Sequence, residues 1–120
     1  MKIYVVGIGP GKADYMTPQA KQAIASADVI VGYDFYVDLL KDLTLGKEIF
    51  KTAMKQEVER CKIALEQAKK GKTVAFVCSG DAGVYGMAGI MMEVAKDHPE
   101  VAIEVVSGIT AACSGAAVLG

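Results

Sequence analysis

Apolar residues in this chain fall into short dense runs, separated by stretches in which they recur every three or four positions. Ile3-Tyr4-Val5-Val6 stops at Gly7, Val29-Ile30-Val31 stops at Gly32, and Val74-Ala75-Phe76-Val77-Cys78 gives way to Ser79-Gly80. Such runs, β-branched and closed by glycine or small polar residues, predict buried strands. The run at 73–78 is continuous enough to be a central strand covered on both faces by helices. A fourth strand is expected at 101–106, and Glu48-Ile49-Phe50 fits a short edge strand.

The intervening stretches carry helical spacing. Thr17 followed by Pro18 offers an N-cap with proline in the first turn, and Ala20, Ala23, Ile24 and Ala27 recur behind it. Val37, Leu39, Leu40 and Leu43 would line one side of a short helix. Residues 56–70 present Val58, Cys61, Ala64, Leu65 and Ala68 as an apolar stripe, with Glu66 and Lys70 placed for an i,i+4 pair and Gly71 as a left-handed stop. Further helices are expected at 85–96 and from Thr110 onward. Strands alternating with helices predict an α/β fold with a parallel sheet and right-handed crossovers.

The chain has 120 residues, of which 52% are hydrophobic and 22% charged, so one domain with a real core is expected and disorder is excluded. Thirteen basic against fourteen acidic residues give a net charge of -1, which leaves no global field for nucleic acid or anionic lipid. Lys47, Lys51, Lys69, Lys70 and Lys72 are interleaved with glutamate, as on a solvated face. Cys61, Cys78 and Cys113 form no C-x-x-C pair, and the N-terminus lacks the pattern of a signal peptide. These features fit a soluble protein of the reducing cytoplasm, with neither membrane nor nucleic-acid partner. His98, next to Pro99, reads as a surface residue of a turn.

In an open parallel sheet, ligands gather outside the carboxyl ends of the strands. Three such ends are rich in glycine and small polar residues: 7–11, 79–86 and 107–111. The first does not complete a dinucleotide fingerprint, since Lys12 stands where the third glycine belongs. Phosphate-loop spacing fails at Gly11-Lys12 and again at Gly71-Lys72-Thr73. Asp81, between two glycines and ahead of a helix, is the best polar candidate, either as a helix N-cap or as a ligand-facing carboxylate. Met87, Met91 and Met92 fit core packing, although methionine faces also line sites for large flat ligands.

Taken together, Val6-Gly7-Ile8-Gly9-Pro10-Gly11, Gly80-Asp81 with Tyr85-Gly86, and Gly108-Ile109-Thr110-Ala111-Ala112 resemble the tetrapyrrole methylase family. Within it, Gly32-Tyr33, Met54, Gln56-Glu57-Val58-Glu59-Arg60 and the long stretch from Ser79 to Ala88 are similar to the branch that methylates precorrin-3B at ring carbon 17 and contracts the ring in cobalamin biosynthesis. The resemblance implies a three-layer domain with a five-stranded parallel sheet in the order 3-2-4-1-5. It also implies a second domain that residues 1–120 do not include, and a homodimer at full length. Its cofactor would be S-adenosyl-L-methionine, bound through Pro10, Ser79, Gly80, Asp81, Val84, Thr110 and Ala111. Its substrate would be a corrinoid, with Tyr33, Tyr36, Met54, Glu57 and Arg60 as candidate contacts. For Glu57 and Arg60 the residues themselves favour a solvated helix face. Ser107 replaces a proline usual in the family, and Lys12 an acidic residue. The long middle motif separates the chain from uroporphyrinogen methyltransferases and diphthine synthases. The other readings are a non-enzymatic nucleotide-binding domain and an interaction fragment.

Overall fold

The computed structural model describes residues 1–8, 16–79 and 81–106, with backbone alone at 81–85. Five parallel strands form one sheet in the order β3-β2-β4-β1-β5. They are β1 (Lys2–Gly7), β2 (Val29–Tyr33), β3 (Glu48–Thr52), β4 (Thr73–Cys78) and β5 (Ala102–Val106), and the helices between them are α1 (Pro18–Ser26), α2 (Asp34–Leu39), α3 (Glu57–Lys69) and α4 (Asp81–Val94). Strand order and the central place of β4 agree with the sequence reading, and Glu48-Ile49-Phe50 lies in an edge strand as expected.

Alternation along the strands assigns side chains to two cores. Ile3, Val5, Val29, Val31, Val74 and Phe76 pack with Cys61, Ala64, Leu65 and Ala68 of α3 and with Ala88 and Met91 of α4. Val6, Ile30, Ala75 and Val77 face the other way, onto Ala20, Ala23 and Ile24 of α1 and Val37 of α2. Three layers follow from a period of two in strands whose faces are both apolar.

Local signals set the helix ends. Thr17 Oγ1 accepts the Ala20 amide at 3.0 Å with Pro18 in the first turn, and Gly71 has φ +90° just past α3, where its amide donates to Ala68 O at 2.9 Å. Four expectations need correction. Helix α4 begins at Asp81 and not at 85, because Asp81-Ala82-Gly83-Val84 reads as loop by composition yet continues into an apolar helix. Val58 and Leu39 are 51% and 43% exposed, so neither belongs to the buried stripe of its helix. The polar Arg60 and Gln67 are buried on α3 instead. Glu66 and Lys70 do not meet, since the described ion pairs are made by Lys2, Lys51, Lys72, Lys96 and His98. The methionines divide: Met91 is fully buried, Met87 is half-buried and Met92 is exposed. The helix expected from Thr110, and Cys113, lie outside the described residues. No described helix is long and apolar enough to cross a membrane.

Candidate functional site

Strand register brings to one edge the ends of the three strands that the glycine-rich stretches follow. Gly7 at the end of β1 pairs with Cys78 at the end of β4, and Val6 pairs with Val106 at the end of β5. The Ile8 amide continues the ladder to Cys78 O at 3.0 Å. The chain therefore leaves three adjacent strands side by side, on the edge where α4 begins. On the other flank, Tyr33 ending β2 pairs with Thr52 ending β3.

Between these strand ends and the facing helices lies a cavity of about 420 Å³. Its wall includes Tyr33, Tyr36, Met54, Glu57 and Arg60, all of the candidate substrate contacts, together with Ser79 from the candidate cofactor set. Asp81 and Val84 stand in the first turn of α4, with side chains outside the described residues. Asp81 is the first residue of that helix. Pro10, Gly80, Thr110 and Ala111 also lie outside the described residues.

Each element delivers its side chains for a local reason. Tyr33 closes β2 and Tyr36 follows on α2, so the rings meet edge to face at 5.4 Å between centroids and 78° between planes. Phe35 meets Tyr36 similarly at 5.9 Å. Beyond β3 the chain turns through Lys55, whose φ of 67° is left-handed without being glycine. Such a residue costs roughly 1–2 kcal/mol, and the turn sets Met54 and Lys55 on the cavity wall. Glu57 and Arg60 follow at i,i+3 on α3 and face the cavity together.

Arg60 corrects the solvated reading. It is only 8% exposed, and its Nη1 donates to Thr52 Oγ1 at 2.8 Å and to Ala53 O at 3.1 Å, tying α3 to the end of β3. Glu57 is half-buried and forms no hydrogen bond among the described residues.

Phe76, Val77 and Cys78 form an apolar floor, and Gly86, Met87 and Ile90 of α4 complete the wall. Burial pushes the Cys78 thiol up to about 12 and that of Cys61 up to about 11, so both stay protonated at neutral pH and neither is a nucleophile there. His98 is half-exposed in its turn, 3.4 Å from Glu100 and away from this edge. Sequence reasoning missed Lys55 and, of the wall from α4, offered only Met87 as one of three methionines that could line a site for a flat ligand. Gly86, Met87 and Ile90 at one-turn spacing were the available signal, whereas nothing local marks Lys55 as left-handed.

S-adenosylmethionine is a small molecule with ribose hydroxyls, an adenine and a cationic sulfonium. The site fits it at the α4 end: the Ser79 hydroxyl lies on the wall without a partner among the described residues, beside a helix N-terminus and an apolar floor.

The sequence matches the family described as Tetrapyrrole (Corrin/Porphyrin) Methylases over residues 2–120. A curated relative from Salmonella typhimurium, named "Probable cobalt-factor III C(17)-methyltransferase", is 44% identical over 117 residues, 97% of this chain and 48% of the relative. The crystal structure of the methyltransferase CobJ superposes with a TM-score of 0.78 at 39% identity, over 98% of this chain and 50% of that one. Uroporphyrin-III C-methyltransferase from Thermus thermophilus, solved in complex with S-adenosyl homocysteine, gives a TM-score of 0.69 at 28% identity, over 96% of this chain and 52% of that one. The chain thus spans about half the length of each of these proteins. With its strand order and its sequence in agreement, the chain belongs to the tetrapyrrole methylase family.

Proposed function

We propose that this chain supplies one half of an S-adenosylmethionine-dependent methyltransferase of cobalamin biosynthesis. The enzyme methylates precorrin-3B, or its cobalt form, at ring carbon 17 and contracts the macrocycle. The observation that carries this reading is the shared cavity. Five residues spread from 33 to 60 in sequence meet Ser79 there, beside the ends of β1, β4 and β5. The relative named as a C(17)-methyltransferase and the likeness to CobJ support the same reaction.

The cofactor, when bound, supplies a methyl group already activated on a sulfonium. What this chain adds is placement. Ser79 orients the cofactor by hydrogen bonding, and Asp81 accepts from its hydroxyl or amino groups. Pro10, Gly80, Val84, Thr110 and Ala111 complete that site. Tyr33 and Tyr36 offer ring faces and edges to a flat macrocycle, Met54 covers it, and the floor of Phe76 and Val77 excludes water. Holding the reacting carbons in line contributes several kcal/mol. The second half of the cleft comes from a further domain of the kind the longer relatives have room for, the assembly is a homodimer, and the enzyme is cytoplasmic.

Calorimetric titration of S-adenosylhomocysteine into this chain and into the full-length protein tests the assignment. Full-length protein is expected to bind and this chain alone to bind weakly or not at all. Asp81→Ala should abolish binding and Thr110→Val should weaken it. Variants that bind as well as the parent would show that the cofactor lies elsewhere.

A further inference from the structure

We propose that Arg60 is the specificity residue that selects a carboxylate-bearing substrate, its guanidinium receiving one side-chain carboxylate of the macrocycle. The identity of that macrocycle rests on the function proposed above. The charge on Arg60 does not.

A guanidinium has five N–H donors. The two hydrogen bonds of Arg60 both start from Nη1 and end on neutral oxygens, Thr52 Oγ1 and Ala53 O. No carboxylate of the described residues lies within ion-pair distance, although the side chain is more than nine-tenths buried. Glu57, one turn earlier on the same helix and on the same cavity wall, is not paired with it. Among the described residues no side-chain nitrogen or oxygen is both fully buried and unpartnered, so the remaining Arg60 donors open into the cavity, where a cation without a counter-ion favours an arriving anion. The donors on Nη2 and Nε remain available in a cavity that Arg60 itself lines.

The surroundings narrow the anion. Lys55 adds a second cation to the wall and Glu57 an anion, so the wall keeps a net positive charge that favours a polyacid. The Tyr33 and Tyr36 rings favour a flat ligand with an anionic substituent over a small free anion. A planar guanidinium binds a carboxylate through two parallel hydrogen bonds, which fixes orientation as well as affinity. The contacts to Thr52 and Ala53 hold the fork in place, so the clamp serves the anion site.

The test uses full-length protein and absorbance titration with cobalt-factor III, as the free acid and as its fully methylated ester. Wild type should prefer the acid. Arg60→Gln should weaken acid binding about 10- to 100-fold, the range of a lost charge-assisted contact, while ester binding stays within about twofold. Arg60→Lys should keep part of the preference, and Thr52→Val, which removes a clamp bond and leaves the charge, should keep most of it. The acid-to-ester ratio is internal to each variant, so a general loss of stability does not imitate the effect. Should Arg60→Gln fail to fold, a reduced ratio in Arg60→Lys supports the proposal and an unchanged one refutes it. The assignment also fails if wild type shows no preference, or if Arg60→Gln weakens acid and ester alike. S-adenosylhomocysteine affinity should be unchanged in Arg60→Gln. If wild type does not bind S-adenosylhomocysteine, the methyltransferase reading falls, while the acid-to-ester ratio still reports on Arg60.

Discussion

The two ends of the sheet are built from similar residues and treat them oppositely. At the amino edge, polar groups satisfy one another: Asp28 Oδ2 accepts the Thr73 amide at 2.9 Å, and Lys72 meets Glu48 at 2.6 Å. There too, Lys47 Nζ donates to Ala25 O at 3.0 Å and Ala27 O at 2.7 Å. At the carboxyl edge, among the described residues, the hydroxyls of Tyr33, Tyr36 and Ser79 and the carboxylate of Glu57 have no hydrogen-bond partner and Arg60 has no counter-ion. Among the described residues, one edge is finished by the chain itself and the other keeps polar groups without partners. A binding edge is thus recognised less by its residue types than by the partners those residues lack.

Substitutions can break or sharpen this contrast. The largest effect is expected from Gly32→Val, because a Cβ at Gly32 would lie 2.6 Å from Val77 Cγ2 and 3.0 Å from Val37 Cγ2. Forcing β2 and β4 apart beneath the open edge should cost about 3 kcal/mol in urea denaturation, and a loss under about 1 kcal/mol would mean that the cavity floor yields.

Cys78 probes the same floor by pH. Its thiol is raised from 9.0 to about 12, so the folded state holds the proton more tightly than the unfolded chain does. The associated stability is whole below pH 9 and declines as pH climbs from 9 toward 12, by about 1 kcal/mol at pH 10. Iodoacetamide should leave Cys78 intact at pH 8 until denaturant is added. Rapid native alkylation would show that the floor is open.

Asp28→Ala at the finished edge should cost about 1 kcal/mol through the orphaned Thr73 amide, and leave S-adenosylhomocysteine binding within about twofold. Ser79→Ala and Glu57→Gln should do the reverse. Stability should stay within about 0.5 kcal/mol, whereas Ser79→Ala weakens cofactor binding about fivefold and Glu57→Gln lowers catalytic efficiency by a similar factor. Equal stability losses at both edges would erase the distinction.

The sequence displays the finished parts of this molecule better than the open ones. Buried strands show because both of their faces are apolar, and caps such as Thr17-Pro18 and Gly71 show because their chemistry is local. Arg60 was hidden because periodicity assigns charged residues to water, and its burial depends on Thr52 at the end of another element. Val58 and Leu39 misled for the complementary reason, being apolar at exposed positions. The start of α4 was obscured by a glycine-rich stretch that looks like loop until its tertiary setting is known. For the site, the resemblance to the methylases collected Tyr33, Tyr36, Met54, Glu57 and Arg60, and the fold places them on one wall. Lys55 required the left-handed turn to be seen.

The register of β1 also sets a schedule for biosynthesis. Lys2 pairs with Thr73 on one side and with Ala102 on the other, so the first strand made has no neighbour until β4 and then β5 emerge. At ribosomal speeds of about 5–20 residues per second, that strand waits on the order of several seconds as an unpaired apolar ribbon. The open edge, which needs β1, β4 and β5 side by side, is therefore among the last features to form. Slow synthesis or chaperone shielding of residues 2–7 should decide how much of the nascent chain reaches the assembled sheet.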